Sequence, residues 1–435
     1  MMPVLTFFLL QILNLNLFSS DPVWVEYDQH KNGDYFALVI SGTDNNAKFT
    51  KIELCTADKL DSIEIGPELY RGKTSSELYN LLIKPLEPYI KKKVQFKPVG
   101  KIHFINMAAL VDDRGRRCCE KYSFRRVSFF NDDLEKEAID YTQAKVYLFG
   151  GMVYDADPER MYQNCWWVYR QNYFGGEDGT NQSYSSMGAE RMWYNSEQLS
   201  GHVQDFPGLD MSTMSIGTTE SGTRAGYDQL QYSRGEIKFI YSLKHYNIQR
   251  FTGDTALEEN FKLRSLWGGP IILHLSTHSF TLDASKSPFS KYFDAKQLSY
   301  MTSGLLFTGA SHTLNGKKMP FGMNDGLLYA EEIARYNLSR MDLVVLSACG
   351  TALGTVTNDG VWGIQSAFKE AGAKTIVSTL WSINDQAAAE FMKVFYTYMS
   401  DGYSKYEAFE MARNYMIRSN DFNDPLYWAP FIMLD

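Results

Sequence analysis

Short apolar runs and amphipathic stretches alternate along this 435-residue chain, and their periods separate strands from helices. Tyr35–Ser41 is a continuous, partly β-branched apolar run, and Lys51–Cys55 alternates apolar with polar residues. Turn chemistry at Asn32-Gly33 and Asp44-Asn45 surrounds them, so both read as strands. Lys101–Asn106 and Lys145–Gly150 have the same look. Between them, Ser75 or Ser76 is placed to cap a helix through Leu78, Leu81 and Leu82 that ends near Pro85 and Pro88. From Trp166 to Tyr232 the pattern dissolves into Gly, Ser, Thr, Asn and Tyr, a composition expected of a long linker or loop.

Regular pattern then returns. Glu236–Leu243 reads as a helix, Ile248–Phe251 as a strand and Ala256–Leu266 as a second helix. The run Ile271-Ile-Leu-His-Leu-Ser-Thr-His278 is a strand, and Leu327–Tyr336 a helix. Leu343-Val-Val-Leu346 is short and wholly apolar, suited to a strand covered on both faces. Further on, Gly360–Phe368 reads as a helix ended by Gly372, and Thr375–Leu380 as a strand. Two amphipathic helices, Ala387–Met399 and Ser404–Ile417, precede a last strand over Tyr427–Leu434. Strands alternating with helices call for an α/β fold: a three-layer α/β/α sandwich around a mainly parallel sheet.

Charge and cysteine usage narrow the partners. A net charge of −8 argues against nucleic acid as a general partner. The five cysteines (Cys55, Cys118, Cys119, Cys165 and Cys349) are irregularly spaced and contain no CxxC pair. Neither a disulfide framework nor a zinc site is expected, no metal or cofactor is called for, and a reducing, cytoplasmic compartment fits. The apolar stretch Val4–Phe18 is interrupted by Gln11, Asn14 and Asn16 and is shorter than a membrane span requires. Three readings of residues 1–22 stay open: a signal peptide, which would mean export, a strand or helix that packs on the body, or a remnant of a longer helical N-terminus.

The candidate chemistry lies at two strand ends. Chemistry in open α/β sheets gathers beyond the carboxyl ends of strands. Ser347-Ala348-Cys349-Gly350 leaves one such end open and displays Cys349 there; His278 stands at the end of the other run. If the two strands are neighbours, thiol and imidazole meet at one edge. A thiol of ordinary pKa is only a few per cent thiolate at neutral pH, so a nearby imidazole matters. The bland alternative for Cys349 is a small buried thiol. His274, on the same face of its strand but deeper, reads as structural, as does His103 within an apolar stretch. Gly150-Gly151 lacks the spacing of a phosphate loop and reads as a turn.

Several motifs occur in order: His274-Leu-Ser-Thr-His278, Asn324-Asp-Gly-Leu-Leu-Tyr-Ala-Glu-Glu-Ile333, Val344-Val-Leu-Ser-Ala-Cys349, Gly360-Val-Trp-Gly-Ile364, Ala371-Gly-Ala373, Ser378-Thr-Leu-Trp381 and Tyr427-Trp-Ala429. Together they resemble the CHAT family, caspase-like domains often attached to TPR repeats and related to separase. Tyr79–Glu87 and Gly100–Ile105 extend the resemblance into the N-terminal half, so that it runs from about Val23 to the C-terminus. It implies a caspase-like fold with a non-catalytic half over 23–165, the linker over 166–232 and a peptidase half over 233–435. It implies a cysteine endopeptidase acting on protein substrates, with His278 and Cys349 as the catalytic dyad and the backbone N–H groups of Ser279 and Cys349 facing the oxyanion. A regulatory protein partner is implied alongside the substrate; neither nucleic acid nor membrane is. The similar stretch of separases carries an acidic residue where this sequence has Asp385, and those enzymes cut after Arg, which makes Asp385 a candidate substrate-binding residue for a basic side chain. The plainer role for Asp385 is a cap on the following helix. Two departures stand out: Ser279 replaces the family's usual Gly, and no TPR array precedes the domain in this sequence. They keep a second expectation in view, a catalytically inactive caspase-like scaffold that binds proteins through the same cleft.

Overall fold

The computed structural model of the protein describes residues 23–41, 47–128, 144–161, 164, 215–216, 229–243, 247–265, 271–283, 290–315, 317, 319, 323–347, 351, 354–357 and 360–435. The N-terminal stretch over 1–22 and nearly all of the expected linker over 166–232 lie outside them, as does Cys349. The chain forms two compact units: Met1–Asp140 with Val356–Val361 and Gly402–Asp435, and Tyr141–Thr355 with Trp362–Asp401.

In the first unit, β1 (Val23–Gln29), β2 (Tyr35–Ser41) and β3 (Lys48–Cys55) form an antiparallel meander. Helix α1 (Lys73–Leu82) buries Leu78, Leu81 and Leu82. Its cap position is Gly72, not Ser75 or Ser76. Ser75 lies inside the helix, fully buried, where its hydroxyl accepts the Val111 N–H at 3.1 Å. Strand β4 (Lys93–Lys97) runs parallel to β1, and β5 (Ser123–Arg126) parallel to β4.

The strand expected over Lys101–Asn106 is instead a 3₁₀ turn over Gly100–Phe104. Buried Ile102 and Ile105 stand three apart, the spacing of a helical turn, and Gly100 turns the chain with φ 50°. The actual strand, β4, buries Val94, Gln95 and Phe96 between Lys93 and Lys97, and its polar centre and flanks hid it in the sequence. His103 is structural: burial, with Arg126 and Lys97 nearby, pushes its imidazole down to about 3, and its carbonyl accepts from Arg126.

The second unit is built on β6 (Lys145–Gly150), β7 (Ser215–Ile216), α2 (Ser233–Ser242), β8 (Asn247–Thr252), α3 (Glu258–Ser265) and β9 (Ile271–Ser276). It continues through β10 (Ser279–Thr281), α4 (Ala295–Met301), β11 (Ser303–Leu306), β12 (Leu327–Tyr329), α5 (Ala330–Ala334) and β13 (Met341–Leu346). Helix α6 (Ile364–Glu370), β14 (Thr375–Thr379) and α7 (Asp385–Ser400) complete it. Its main sheet has the order β14-β13-β9-β6-β8, every neighbour parallel. A smaller antiparallel sheet has the order β12-β11-β10-β7.

Alternation along the parallel strands sends side chains to opposite faces. Leu273, Leu275, Val344 and Leu346 meet Phe261 of α3, Ile333 of α5 and Ile364 and Phe368 of α6. On the other face His274 meets α2 and α7. Helices therefore cover both sides of a mainly parallel sheet, the α/β/α layering expected. The helix expected over Leu327–Tyr336 divides into β12 and the short α5. The buried run Leu327-Leu-Tyr329 pairs with β11, and an apolar run covered on both sides carries no period by which to tell strand from helix. Similarly, α6 starts at Ile364 rather than Gly360.

The chain closes the first unit with α8 (Lys405–Arg418), capped by Ser404, and β15 (Phe431–Leu434). Between them Asp424 caps a short helix over Pro425–Trp428, so the last strand begins four residues later than Tyr427. Strand β15 runs parallel to β5, and Asn106 Nδ2 donates to the carbonyls of Ala429 and Phe431. Among the described residues, no helix is long and apolar enough to cross a membrane.

Candidate active site

Strands β9 and β13 are parallel neighbours with Leu275 opposite Leu346, and β14 lies on the far side of β13 with Val377 opposite Val345. The carboxyl ends of all three strands share one edge, which is where the segments bearing His278, Cys349 and Asp385 leave the sheet.

His278 is held by its backbone. Its N–H donates to the Tyr154 hydroxyl at 3.2 Å, and its carbonyl accepts from Leu306 N–H at 2.9 Å. Tyr154 also hydrogen-bonds the Thr277 hydroxyl at 3.0 Å, and its ring lies 5.3 Å from the imidazole, tilted by 34°. The side chain of His278 is 6% exposed, sheltered yet at the sheet edge. Ser279 begins β10 opposite Leu305 and is buried. Thr351, just beyond the cysteine in sequence, is fully buried, and its hydroxyl accepts the Thr379 N–H at 3.3 Å. Among the described residues, the competing thiols Cys55, Cys118 and Cys119 belong to the first unit and are unbridged, and burial pushes the Cys118 thiol well up, away from thiolate.

Beneath the edge lies a polar cluster centred on Glu236, which is fully buried on α2. Its Oε1 stands 2.8 Å from His274 Nε2. Its Oε2 accepts from the hydroxyls of Ser276 at 3.2 Å and Ser347 at 3.4 Å. The other nitrogen of His274 meets the Tyr396 hydroxyl of α7 at 3.2 Å. One turn earlier on α2, Ser233 accepts from Gly151 N–H and donates to the Ser276 carbonyl. His274 is thus structural, as its depth implied. Glu236 escaped the reading of the residues, although the signal was present: Ser233, Glu236, Ile237 and Ile240 form one helical stripe, and all are buried.

Asp385 is the first residue of α7, and the cap is its neighbour Asn384, whose side chain accepts from Ala387 N–H. Asp385 instead accepts the Tyr232 N–H at 2.7 Å, where the expected linker ends. Burial raises its carboxyl to about 6, the Tyr232 N–H lowers it and the nearby Glu236 raises it further.

The Asn324-Asp-Gly326 motif turns out to be built into the core. Lys262 Nζ lies 2.6 Å from Glu258, 2.7 Å from Glu332 and 2.9 Å from Asn324 Oδ1. Glu258 accepts the Gly326 N–H, and Glu259 the Asn324 N–H. Gly326 has φ 79° and no room for a Cβ, which would stand 2.8 Å from Ala310 N. Burial raises the carboxyls of Asp325, Glu259 and Glu332, while the carboxylates around Lys262 keep its ammonium charged against burial. Among the described residues, no group of three or more His, Cys, Asp or Glu side chains is arranged to hold a metal ion.

Comparison with known proteins adds a family to this geometry. Tetratricopeptide repeat protein 28 of Mus musculus is 32% identical over 108 residues, 25% of this chain, and its Homo sapiens counterpart is 31% identical over 108. The aligned stretch spans only 4% of the length of either relative. A solved structure, the Arg specific cysteine proteinase gingipain R, superposes with a TM-score of 0.38 at 7% identity, covering 83% of this chain and 65% of its own. The family description "CHAT domain" matches residues 72–434. The chain belongs to the CHAT-domain family.

Proposed function

We propose that the protein is a cysteine endopeptidase that hydrolyses peptide bonds in protein substrates with Cys349 as nucleophile and His278 as base. The observation that carries this reading is the register of β9 against β13: His278 and Cys349 each stand three residues beyond the paired positions Leu275 and Leu346. Membership of the CHAT-domain family supports the same pair.

In the first step the His278 imidazole takes the Cys349 proton, and the thiolate attacks the scissile carbonyl carbon. The oxyanion that forms faces the N–H groups of Ser279 and Cys349, a contribution of roughly 3 kcal/mol per donor. The C–N bond then breaks, and the imidazolium gives its proton to the departing amine. Water, deprotonated by His278, hydrolyses the thioester and restores the thiol. Asp385, at the same edge, receives a basic side chain before the cut; an Arg there would make a charge-assisted, bidentate pair. The Tyr232 N–H now on Asp385 is the contact that such a side chain displaces or shares.

Peptide hydrolysis by purified Cys349→Ala and His278→Ala tests the assignment. Both are expected to lose turnover by at least about a thousandfold with unchanged melting temperature. Parent-like cleavage by Cys349→Ala would refute the dyad. A second reading, a protein-binding scaffold without turnover, draws on Ser279 in place of the family's Gly and on the occupied carboxylate of Asp385. It predicts binding that Cys349→Ala leaves unchanged and no cleavage by the parent chain.

A further inference from the structure

We infer that Glu236 is a positioning residue that ties together the two strand ends bearing His278 and Cys349; this rests on the peptidase reading above. One oxygen of its buried carboxylate, Oε2, accepts from Ser276 on one strand end and from Ser347 on the other. Ser276 stands two residues before His278, and Ser347 two residues before Cys349. The tie therefore crosses between neighbouring strands at the same offset from both reacting side chains.

Among the described residues, the last paired positions of β9 and β13 are Leu275 and Leu346. Ser276 is still paired with Gly150 of β6, and it is one residue beyond these positions that the two serine hydroxyls converge on Glu236. The carboxylate is itself held in place. Its Oε1 lies 2.8 Å from His274 Nε2 without hydrogen-bond alignment, and the other ring nitrogen of His274 meets the Tyr396 hydroxyl of α7. Ser233, on the same helix, fixes the Ser276 carbonyl and the Gly151 N–H. Helix α2 packs closely on β6 at Gly150, where a Cβ would lie 2.6 Å from Ile237 Cγ1. Burial strengthens each of these contacts and makes a missing partner costly. Misplacing one reactive group by about 1 Å costs on the order of a hundredfold in rate, so a tie at this position acts on chemistry without touching the substrate.

The test uses the full chain with Glu236→Gln, Ser276→Ala, Ser347→Ala and the double serine variant. Two quantities are measured in each: amide hydrogen exchange over 275–279 and 344–347, and the pH profile of Cys349 alkylation by iodoacetamide. Exchange is expected to rise at both strand ends in Glu236→Gln. Alkylation at neutral pH is expected to fall about tenfold in each serine variant. The double variant should be no worse than either single one, because one break releases the tie. Parent-like exchange at both ends in variants that remain folded would overturn the tie. Raised exchange with an unchanged alkylation profile would overturn its positioning role. If the parent's Cys349 shows no imidazole-assisted reactivity, the peptidase reading fails, and the exchange arm still decides the tie. Should Glu236→Gln not fold, the two serine variants carry the same comparison.

Discussion

Asp385 shows most directly how one side chain was half legible. Its acidic character and its place after β14 were readable in the sequence; that Asn384 takes the cap and leaves Asp385 to the Tyr232 N–H was not. That contact joins positions far apart in sequence, and nothing local encodes it. Its consequence is a pH dependence of definite sign. The folded carboxyl titrates at about 6 against an ordinary value of 3.8, so the folded state holds the proton more tightly. Stability from this group is present below about pH 4 and is lost as pH rises toward 6. Asp385→Asn, which keeps an acceptor for Tyr232, should match the parent near pH 4. By pH 7 it should be more stable by about 1 kcal/mol, a figure reduced for partial exposure. Urea denaturation across that range checks it; a gap that closes with rising pH would contradict the assignment. The same variant should also turn over basic substrates poorly.

At the scale of elements, amphipathic helices and turn-bounded apolar strands were readable, whereas apolar runs flanked by helical sequence or by lysines were not. Helices α7 and α8 follow their amphipathic period and are capped by Asn384 and Ser404, while strands β2, β6 and β14 follow short apolar, β-branched or aromatic runs bounded by turns. Strand β12 and the turn at Gly100 failed for opposite reasons, the first having no period and the second sharing its three-residue spacing with a short apolar run. The Lys262 cluster has no local signature either, since its members come from α3, the Asn324 turn and α5. Charge balance within it predicts a severe variant. Lys262→Met leaves Glu258 and Glu332 buried without their cation, and a loss of 3 kcal/mol or more, about the cost of breaking a buried pair, is expected at pH 7. Because burial already raises the Glu332 carboxyl, which without its cation binds a proton more readily still when folded, part of the loss should return as pH falls toward 5. Chemical denaturation at both pH values reads this; a loss that grows on acidification would contradict the network.

For the molecule as a whole, the alternating elements made the layered α/β architecture readable, while the division into units was not. The first unit recruits α8 and β15 from the end of the chain, and a parallel strand in sequence does not announce which partner it will join. Here β15 joins β5, where Arg125 binds Asp435 at 2.9 Å and lies over the Tyr406 ring at 3.3 Å. In the second unit the site reading depended on one long-range fact, the adjacency of β9 and β13, and the structure supplies it.

The most direct measurement is mass-spectrometric mapping of the full chain after exposure to an irreversible peptidyl ketone ending in arginine. A single adduct at Cys349 is expected, absent from His278→Ala and slowed in Asp385→Ala. Adducts spread over Cys55, Cys119 and Cys165, with Cys349 unmodified or labelled equally in His278→Ala, would contradict it.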